Sequence, residues 1–505
     1  MLHGILWSSK TTVNQEERAK MDFSKQFEEQ QEAKRLQSKI TSFISDCQIG
    51  TLMNRCGMRK VRGASPLKLF TAIFMLPFEG NNFYRGIVTN KQLSFGKNAA
   101  YALLNNPRHN WRRLLASLAI MMINFFSQLT SEEREKVLII DDSTYDRSRS
   151  KVVELLSWVF DHNSGKHLKG FKLLSLGWSD GASFIPLDFI LMSSAKAKKR
   201  IQGIKEKIDK RTTGYKRRQE AIIKSTAHLE EMVKRALSLG VEADYLLMDS
   251  WFCWPVITAK LGKLLPVICM AKDMPQIFYR HDGKWVRLGD LYKRLRKRPG
   301  KAKILASVIV KNKQNQPVKI VFVRHRHKRD WLAILSTDTK LSAGEIVRIY
   351  GKRWDIEVFF KMLKHHLNLE REVQLRDYQG IIGHVTITMM RYIFLAFEQR
   401  CHDDPKTIGS LFFSCCAEIK DLSLLAALQR LLALALDRVR ASGEVAESVI
   451  MTLMETIMGS AIDFMQSAQL TAGLVNDNYT YALATITLPH TSTTRIINNS
   501  AIYLD

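Results

Sequence analysis

Two short apolar runs in the middle of the chain each end in an acid. Val137–Ile140 is followed directly by Asp141 and Asp142, and Tyr245–Met248 is followed by Asp249. Apolar runs of this length with polar residues on either side are typical of buried strands. The pattern therefore predicts two buried strands that carry carboxylates at their ends.

Three further runs, Lys172–Trp178, Ser183–Met192 and Leu264–Met270, have the same strand-like character. The Asp-Gly pair at 180–181 predicts a hairpin turn between the first two. A polar, basic stretch over 200–239 is predicted to be helical. The resulting order is strand, strand, strand, helix, strand, helix, strand, which is the order of a ribonuclease-H-like α/β core.

Helical and β-rich segments flank this core. Ser65-Pro66 and Asn106-Pro107 have the pattern of helix starts, and they predict helices over Leu67–Leu76 and Trp111–Phe126. After the core, three strands are predicted. They are Lys303–Lys311, Val318–Arg324 and Trp331–Ser336.

The sequence thus predicts an α/β protein with a ribonuclease-H-like catalytic core, a β-rich insertion, and helical domains at both ends. The expected domains are a helical DNA-binding domain (1–130), the first part of the core (131–272), the basic insertion (273–340), the core helix with a third acid (341–372), a helical region suited to dimerisation (373–470) and a weakly ordered tail (471–505).

Net charge indicates the partner. The 505 residues include 76 Lys plus Arg against 49 Asp plus Glu, a formal net charge of +27. Such an excess normally accompanies a polyanion, either nucleic acid or an anionic membrane. The longest nearly apolar run, Leu114–Phe126, is too short to span a bilayer, and no signal peptide is indicated. We therefore expect a cytoplasmic, nucleoid-associated protein that binds DNA and no membrane.

The positive charge is concentrated in two segments. Residues 293–329 contain 14 Lys or Arg and no acid, and residues 196–218 contain 11 Lys or Arg and two acids. Both are predicted to contact the DNA backbone, with a solvated loop or an exposed helix as the alternative. The residues singled out for this contact are Lys216, Arg217, Arg218, Arg324 and Arg326.

A charged stripe is predicted on the helix that opens with the capping box of Ser342 and Glu345. Its members are three or four positions apart, which places them on one helix face. They are Tyr350, Arg353, Glu357, Lys361 and Lys364. A salt-bridged surface would have the same spacing, so the spacing alone leaves both interpretations open.

The identities in this stripe resemble a known signature. Tyr-x2-Arg-x3-Glu-x6-Lys is similar to the Y-R-E-K motif of bacterial DDE transposases of the insertion-sequence-four family, and a looser resemblance extends over about 137–366. The resemblance implies that Tyr350, Arg353 and Lys364 contact a phosphate beside the cleavage site, with Lys361 as a further contact. It also places at Trp331 the aromatic residue that stacks on a base flipped out of the DNA.

Three acids are predicted to hold the metal. Asp142, Asp249 and Glu357 would bind two Mg²⁺ ions, for which Mn²⁺ could substitute, because hard ions prefer carboxylate oxygens. Strand alternation allows only one of Asp141 and Asp142 to face the metals, and the resemblance favours Asp142. For Asp249, the alternative role is a cap on the next helix.

The expected function is DNA transposition. The protein would bind the terminal inverted repeats of its own element, cleave there, and join the ends to target DNA. A homodimer is expected because two ends must be held together, and the resemblance implies a hairpin intermediate. The alternatives are a ribonuclease-H-like nuclease without strand transfer and a DNA-binding protein without catalysis.

Overall fold

The structure is a computed structural model that describes residues 39–60, 62–130, 134–161, 164–205, 207–299, 302–324 and 330–401, and the isolated helical positions 449, 452, 456, 457 and 460. The chain divides into two compact units: Phe43–Phe413 forms one, and Met1–Ser42 with Ser414–Asp505 forms the other. The architecture below is that of the first unit. The predictions for the tail 471–505, for Arg326 and for most of 402–470 lie outside the described residues.

Helices dominate the two ends of this unit and are interspersed among its strands. The α-helices of the described residues are α1 (Lys39–Asp46), α2 (Ile49–Arg55), α3 (Pro66–Met75), α4 (Lys97–Asn105), α5 (Trp111–Leu129), α6 (Thr213–Ala221), α7 (Leu229–Ser238), α8 (Pro255–Leu261), α9 (Leu288–Arg294), α10 (Ala343–Gly351), α11 (Trp354–His365) and α12 (Tyr378–Cys401). The helical character predicted for the amino-terminal region is confirmed over its described part.

All the strands belong to one sheet. In chain order they are β1 (Val137–Asp146), β2 (Ser157–Asp161), β3 (Lys166–Ser179), β4 (Phe184–Met192), β5 (Tyr245–Met248), β6 (Val267–Ala271), β7 (Phe278–His281), β8 (Lys284–Arg287), β9 (Ile304–Asn312), β10 (Pro317–Arg324) and β11 (Trp331–Ser336). Every strand predicted from the sequence is present: β5 and β11 have the predicted ends, whereas β1 continues past its two acids to Asp146 and the ends of the others also differ.

The order of strands across the sheet is β2-β3-β1-β5-β6-β11-β10-β9-β7-β8, and β4 pairs with β3 beside β2. β1, β5 and β6 run parallel to one another, whereas the remaining pairs are antiparallel. The predicted hairpin turn between β3 and β4 is present, and Gly181 adopts a positive φ of 85° there. Parallel strands with helices between them make the centre of the sheet an α/β arrangement.

The helix predicted over 200–239 is only partly correct. The structure has α6 and α7 there, and α6 begins where the Thr212 hydroxyl accepts a hydrogen bond from the backbone N–H of Tyr215. The described residues between 200 and 211 form no α-helix, because a dense run of like charges has no favourable pairing along a helix face.

Of the two helix starts predicted in the amino-terminal region, the structure has one as predicted. Ser65 caps α3 by accepting from the backbone N–H of Lys68, and Pro66 is the first helical residue. α5 instead begins at Trp111, where Asn110 accepts from the backbone N–H of Arg113. The prediction that Asn106-Pro107 opens this helix is wrong, because the nearer side chain supplies the cap.

The β-rich insertion continues the central sheet. β11 pairs antiparallel with β6, with Ile334 opposite Met270. β9, β10 and β11 were predicted, whereas the hairpin β7–β8 and helix α9 were not. The insertion is therefore a lateral extension of the sheet that carries β1 and β5.

Helix α12 is the central core helix. By length and composition it could cross a membrane, but 94% of its most apolar window is buried inside the protein. Within it, the guanidinium of Arg391 donates to the Glu372 carboxylate at 2.7 Å, and both side chains are fully buried. A helix buried on all sides is the core of a large domain.

Candidate active site

The parallel register of β1 and β5 brings two acids to the same level of the sheet. Ile140 lies opposite Met248, and each is the last apolar residue of its run. Asp141 and Asp249 follow directly. Asp249 occupies the cap position of a short 3₁₀ turn but makes no capping hydrogen bond through its side chain, so the alternative role as a helix cap is wrong.

The third acid comes from the helix pair α10–α11. The predicted capping box is present, with Ser342 and Glu345 each accepting from the other's backbone N–H. The single long helix predicted here is two helices in the structure. Between them, the backbone N–H groups of Lys352 and Arg353 donate to carbonyls three residues earlier instead of four. Arg353 therefore precedes α11, and Glu357 lies in its first turn.

Arg353 joins the strand acids to the helix acid. Its Nη1 donates to Asp141 Oδ2 at 3.2 Å, and its Nη2 donates to Glu357 Oε1. Its guanidinium also lies 5.8 Å from the centre of the Tyr350 ring. One cation thus spans two of the acids at the centre of the site.

Negative charge at this site is crowded. Burial raises the pKa of Asp141 to about 7. Arg353 counteracts the rise, whereas the neighbouring carboxylates of Asp249 and Asp142 add to it. A carboxylate that raises the pKa of Asp141 must lie near it, and groups with a perturbed pKa concentrate at functional sites.

Tyr350 contacts the last residue of β5. Its side chain is buried, and its hydroxyl donates to the backbone carbonyl of Met248 at 3.4 Å. Burial raises its pKa above the ordinary range, although Arg353 opposes that rise. The predicted phosphate contact by Tyr350 would need this ring to become accessible.

Asp142 does not join the cluster. Its Oδ1 accepts from Lys172 Nζ at 3.0 Å. Because successive strand residues face opposite sides of a sheet, Asp142 points away from the face on which Asp141 meets Arg353. The choice of Asp142 over Asp141 as metal ligand stays a prediction, and the contact of Asp141 with Arg353 favours Asp141. A sequence signal for Asp141 existed, since it directly follows the apolar run Val137–Ile140, as Asp249 follows the run Tyr245–Met248.

The donor set fits a hard divalent cation. Asp141, Asp249 and Glu357 offer only carboxylate oxygens, which are the ligands that Mg²⁺ prefers. In the part of the chain that the structure describes, no group of three His, Cys, Asp or Glu side chains is close enough to hold an ion as it stands. The arginine between Asp141 and Glu357 accounts for the spacing of those two.

The predicted DNA contacts differ in accessibility. Lys216, Arg324 and Lys361 are exposed. Arg324 also donates through Nε to the Ala302 carbonyl at 3.3 Å. Lys364 is half-buried, with Nζ 2.5 Å from the carbonyl oxygen of Thr144 at the end of β1. Lys216 and Lys361 are therefore the predicted contacts that could reach a phosphate without rearrangement.

Arg217 and Arg218 are buried, contrary to the prediction that they contact DNA. Arg218 donates to Glu154 at 2.7 Å and to Asp377 at 3.1 Å. Arg217 donates to the Phe189 carbonyl at 2.7 Å. Both guanidinium groups are enclosed among acids and backbone carbonyls from distant parts of the chain, so they stabilise the fold around α6.

Trp331 lies in an aromatic cluster of the insertion. Its ring centre is 5.0 Å from that of Tyr292 and 5.1 Å from that of Phe322. The side chain is half-buried, so one part packs in the cluster while another part is accessible. This placement is compatible with stacking on a base, which stays a prediction.

Comparisons with known proteins define the class of this site. The family model described as "DDE superfamily endonuclease" matches residues 70–256, the range that contains Asp141 and Asp249. The family model described as "Archaeal putative transposase ISC1217" matches residues 303–397, the range that contains Arg353 and Glu357. A search of curated proteins found no match.

The two matches cover different parts of the chain, and each includes acids that the structure brings together. They support a nuclease of the DDE type, and within that class a transposase. Proteins of this class act on DNA and generally use divalent metal ions. The mixed α/β fold is compatible with that class.

Proposed function

We propose that this protein is a cut-and-paste DNA transposase of the insertion-sequence-four type, with a ribonuclease-H-like core. The observation that carries the proposal is that three acids lie at one place in the fold. Arg353 contacts both Asp141 and Glu357, and Asp249 lies level with Asp141 on the neighbouring strand. Asp141 lies within β1, Asp249 directly follows the neighbouring parallel strand β5, and Glu357 lies on α11, which packs against β1. The strand order β4-β3-β1-β5-β6, with helices before and after β5, supports the ribonuclease-H-like assignment.

In this proposal Asp141, Asp249 and Glu357 hold two Mg²⁺ ions, or Mn²⁺ in their place. When bound, such ions activate an oxygen nucleophile and stabilise the charge that develops on the phosphoryl group. The protein itself would contribute the elements that carry the three carboxylates, namely two neighbouring parallel strands and a helix. The nucleophiles would be water in cleavage and the DNA 3′-OH in joining, so no side chain forms a covalent bond to DNA.

The remaining signature residues would hold DNA. We assign phosphate contacts to Arg353, Lys361, Lys364, Lys216 and Arg324, and we keep Tyr350, Arg326 and a base-stacking Trp331 as implications of the family resemblance. The substrates would be the terminal inverted repeats and target DNA. Because two ends must be cut together, the active form would be a homodimer, and its place of action would be the bacterial cytoplasm at the nucleoid.

The runner-up function is a nuclease that uses the same acids without joining ends. The family match to endonucleases over residues 70–256 favours it as the second candidate. The two functions differ in one product. Only a transposase converts pre-cut ends with a free 3′-OH into joined DNA.

The decisive experiment compares wild type with Glu357→Gln on a supercoiled plasmid that carries the element with both ends. In Mg²⁺ we expect wild type to cut at the ends and the cutting rate of Glu357→Gln to be at least about 100-fold lower. Removing a charged metal ligand should cost more activity than removing a hydrogen bond to such a ligand, which typically costs about 10–100-fold. Glu242→Gln, an exposed Glu paired with Lys136, is the matched control and should cut normally. Equal cutting by Glu357→Gln would reject the site, and cutting without joining of pre-cut ends would favour the nuclease.

A further inference from the structure

Arg353 occupies an unusual place for a DNA-binding arginine. Its side chain is only 12% exposed, and both terminal nitrogens are engaged by acids of the candidate active site. The tightened turn between α10 and α11 fixes its backbone, and the Tyr350 ring lies beside its guanidinium. In this arrangement the arginine is bound to the protein's own carboxylates through both of its terminal nitrogens.

The carboxylate oxygens that bind this arginine are the ones proposed to bind a divalent ion. Asp141 and Glu357 each give an oxygen to Arg353, whereas Asp249 has no ion-pair partner among the described residues. A guanidinium and a metal ion cannot both lie between the same two carboxylates, because they are like charges at a few ångströms. One cation must leave when the other enters.

We propose that Arg353 competes with the divalent ion for Asp141 and Glu357, and that the arginine, once displaced, binds a DNA phosphate. The inference rests on the proposed function, since it takes these acids as metal ligands. Metal binding and DNA binding then reinforce each other. The ion makes the guanidinium available to phosphate, and a phosphate that holds the guanidinium makes the carboxylates available to the ion. By thermodynamic linkage the two effects have equal size.

The structure offers a matched control for this competition. Lys361 lies one helical turn after Glu357 on α11 and is also assigned to phosphate, but its side chain is exposed and points to solvent. Loss of Lys361 removes a cation of the same helix without removing a competitor from the acids. Arg353→Lys is the conservative variant, because one ammonium can no longer bridge two carboxylates as the forked guanidinium does.

The test measures Mn²⁺ binding to the full chain without DNA, by the electron paramagnetic resonance signal of free Mn²⁺. We expect Arg353→Gln to bind Mn²⁺ at least about tenfold more tightly than wild type, Arg353→Lys to lie between them, and Lys361→Gln to stay within about twofold of wild type. Unchanged or weaker Mn²⁺ binding by Arg353→Gln would overturn the inference. If Arg353→Gln does not fold, as judged by circular dichroism, Arg353→Lys decides by the same criterion.

A second measurement tests the coupling. A 30-base-pair duplex at low salt should tighten Mn²⁺ binding more in wild type than in Arg353→Gln, because only wild type has a competitor for the DNA to remove. An equal tightening in both would overturn the coupling.

The variant Asp249→Asn separates this inference from the proposed function. It should weaken Mn²⁺ binding in the wild-type and Arg353→Gln backgrounds alike. If Asp249→Asn leaves Mn²⁺ binding unchanged, the metal site and the inference both fail. If it weakens binding while Arg353→Gln matches wild type, the metal site stands and only the competition is wrong.

Discussion

Lys172 Nζ lies 3.0 Å from Asp142 Oδ1, on the face of β1 opposite to the one where Asp141 meets Arg353. Because successive strand residues face opposite sides of a sheet, Asp141 and Asp142 contact different partners. Asp141 pairs with Arg353, which precedes α11, whereas Asp142 pairs with Lys172 on β3. The division explains how two consecutive acids can have separate tasks.

This division predicts unequal effects of removing each charge. Asp141→Asn should lower metal-dependent DNA cutting at least about 100-fold, because a proposed ligand is lost. Asp142→Asn should lower it by less than about tenfold, since only the pair with Lys172 is broken. The measurement is plasmid nicking in Mg²⁺ with thermal unfolding as a check on folding. An Asp142→Asn variant as inactive as Asp141→Asn would return the first ligand to Asp142.

The basic segment 196–218 should separate into structural and DNA-contacting residues. Arg218→Ala is expected to destabilise the protein by about 3–5 kcal/mol, because it leaves the buried carboxylate of Glu154 without its partner. Lys216→Ala is the control from the same helix, and it should change the free energy of unfolding by less than about 0.5 kcal/mol. Urea denaturation gives both values.

In DNA binding, by contrast, we expect an effect of Lys216→Ala. Lys216→Ala should reduce the slope of log affinity against log salt by about one if Lys216 neutralises a phosphate. Fluorescence anisotropy with a labelled duplex measures this slope. A stable Arg218→Ala protein would show that the burial of this side chain does not matter for the fold.

A buried arginine cluster predicts loss of stability in acid. Burial tends to raise the pKa of Asp188, but the arginines around it, led by Arg112 and Arg235, outweigh that effect and hold the pKa below its ordinary value. A depressed folded-state pKa gives stabilisation that is present above about pH 4 and lost as the pH falls through the folded value.

Asp188→Asn should therefore cost about 3–5 kcal/mol at pH 7, and its difference from wild type should shrink below pH 4. Urea titrations at pH 7 and pH 3 provide the comparison. Asp290→Asn, at an exposed pair with Lys293, is the control and should differ little from wild type at either pH. A difference that stays constant down to pH 3 would contradict the assignment.

Trp331 should have two separable roles. Trp331→Ala is expected to cost about 1–3 kcal/mol through lost packing on Tyr292 and Phe322, because the ring is only half-buried. Trp331→Phe should retain most of that stability. If the indole also stacks on an extruded base, Trp331→Phe should still cut less well than wild type, and DNA with an abasic site at the extruded position should reduce the difference. Equal activity of Trp331→Phe and wild type on intact DNA would remove the stacking role.

Local signals in the sequence were sufficient for much of the fold. The apolar run Tyr245–Met248 became β5 without a change of ends, and Ser342 with Glu345 capped α10 as expected. Such features depend on neighbours within a few residues, so the sequence states them directly. The acid at the end of a strand belongs to the same category, which is why the position of Asp249 directly after β5 could be predicted.

Other features depended on partners far along the chain. Arg218 pairs with Glu154 and Asp377, which are 64 and 159 residues away. No local pattern distinguishes such an arginine from the exposed Lys216 two positions earlier. The face of β1 that meets α11 is likewise set by packing, so parity alone could not decide between Asp141 and Asp142.

The pairing of β11 with β6 makes the insertion mechanically part of the catalytic sheet. β6 lies next to β5, which ends at Asp249, so only one strand separates the insertion from a proposed metal ligand. Within the described part of the chain, no flexible linker separates the insertion from the central strands where β11 pairs with β6. The hydrogen-bonded ladder of β11, β6 and β5 connects the two directly, so a displacement of the insertion would be passed to the strand that precedes Asp249.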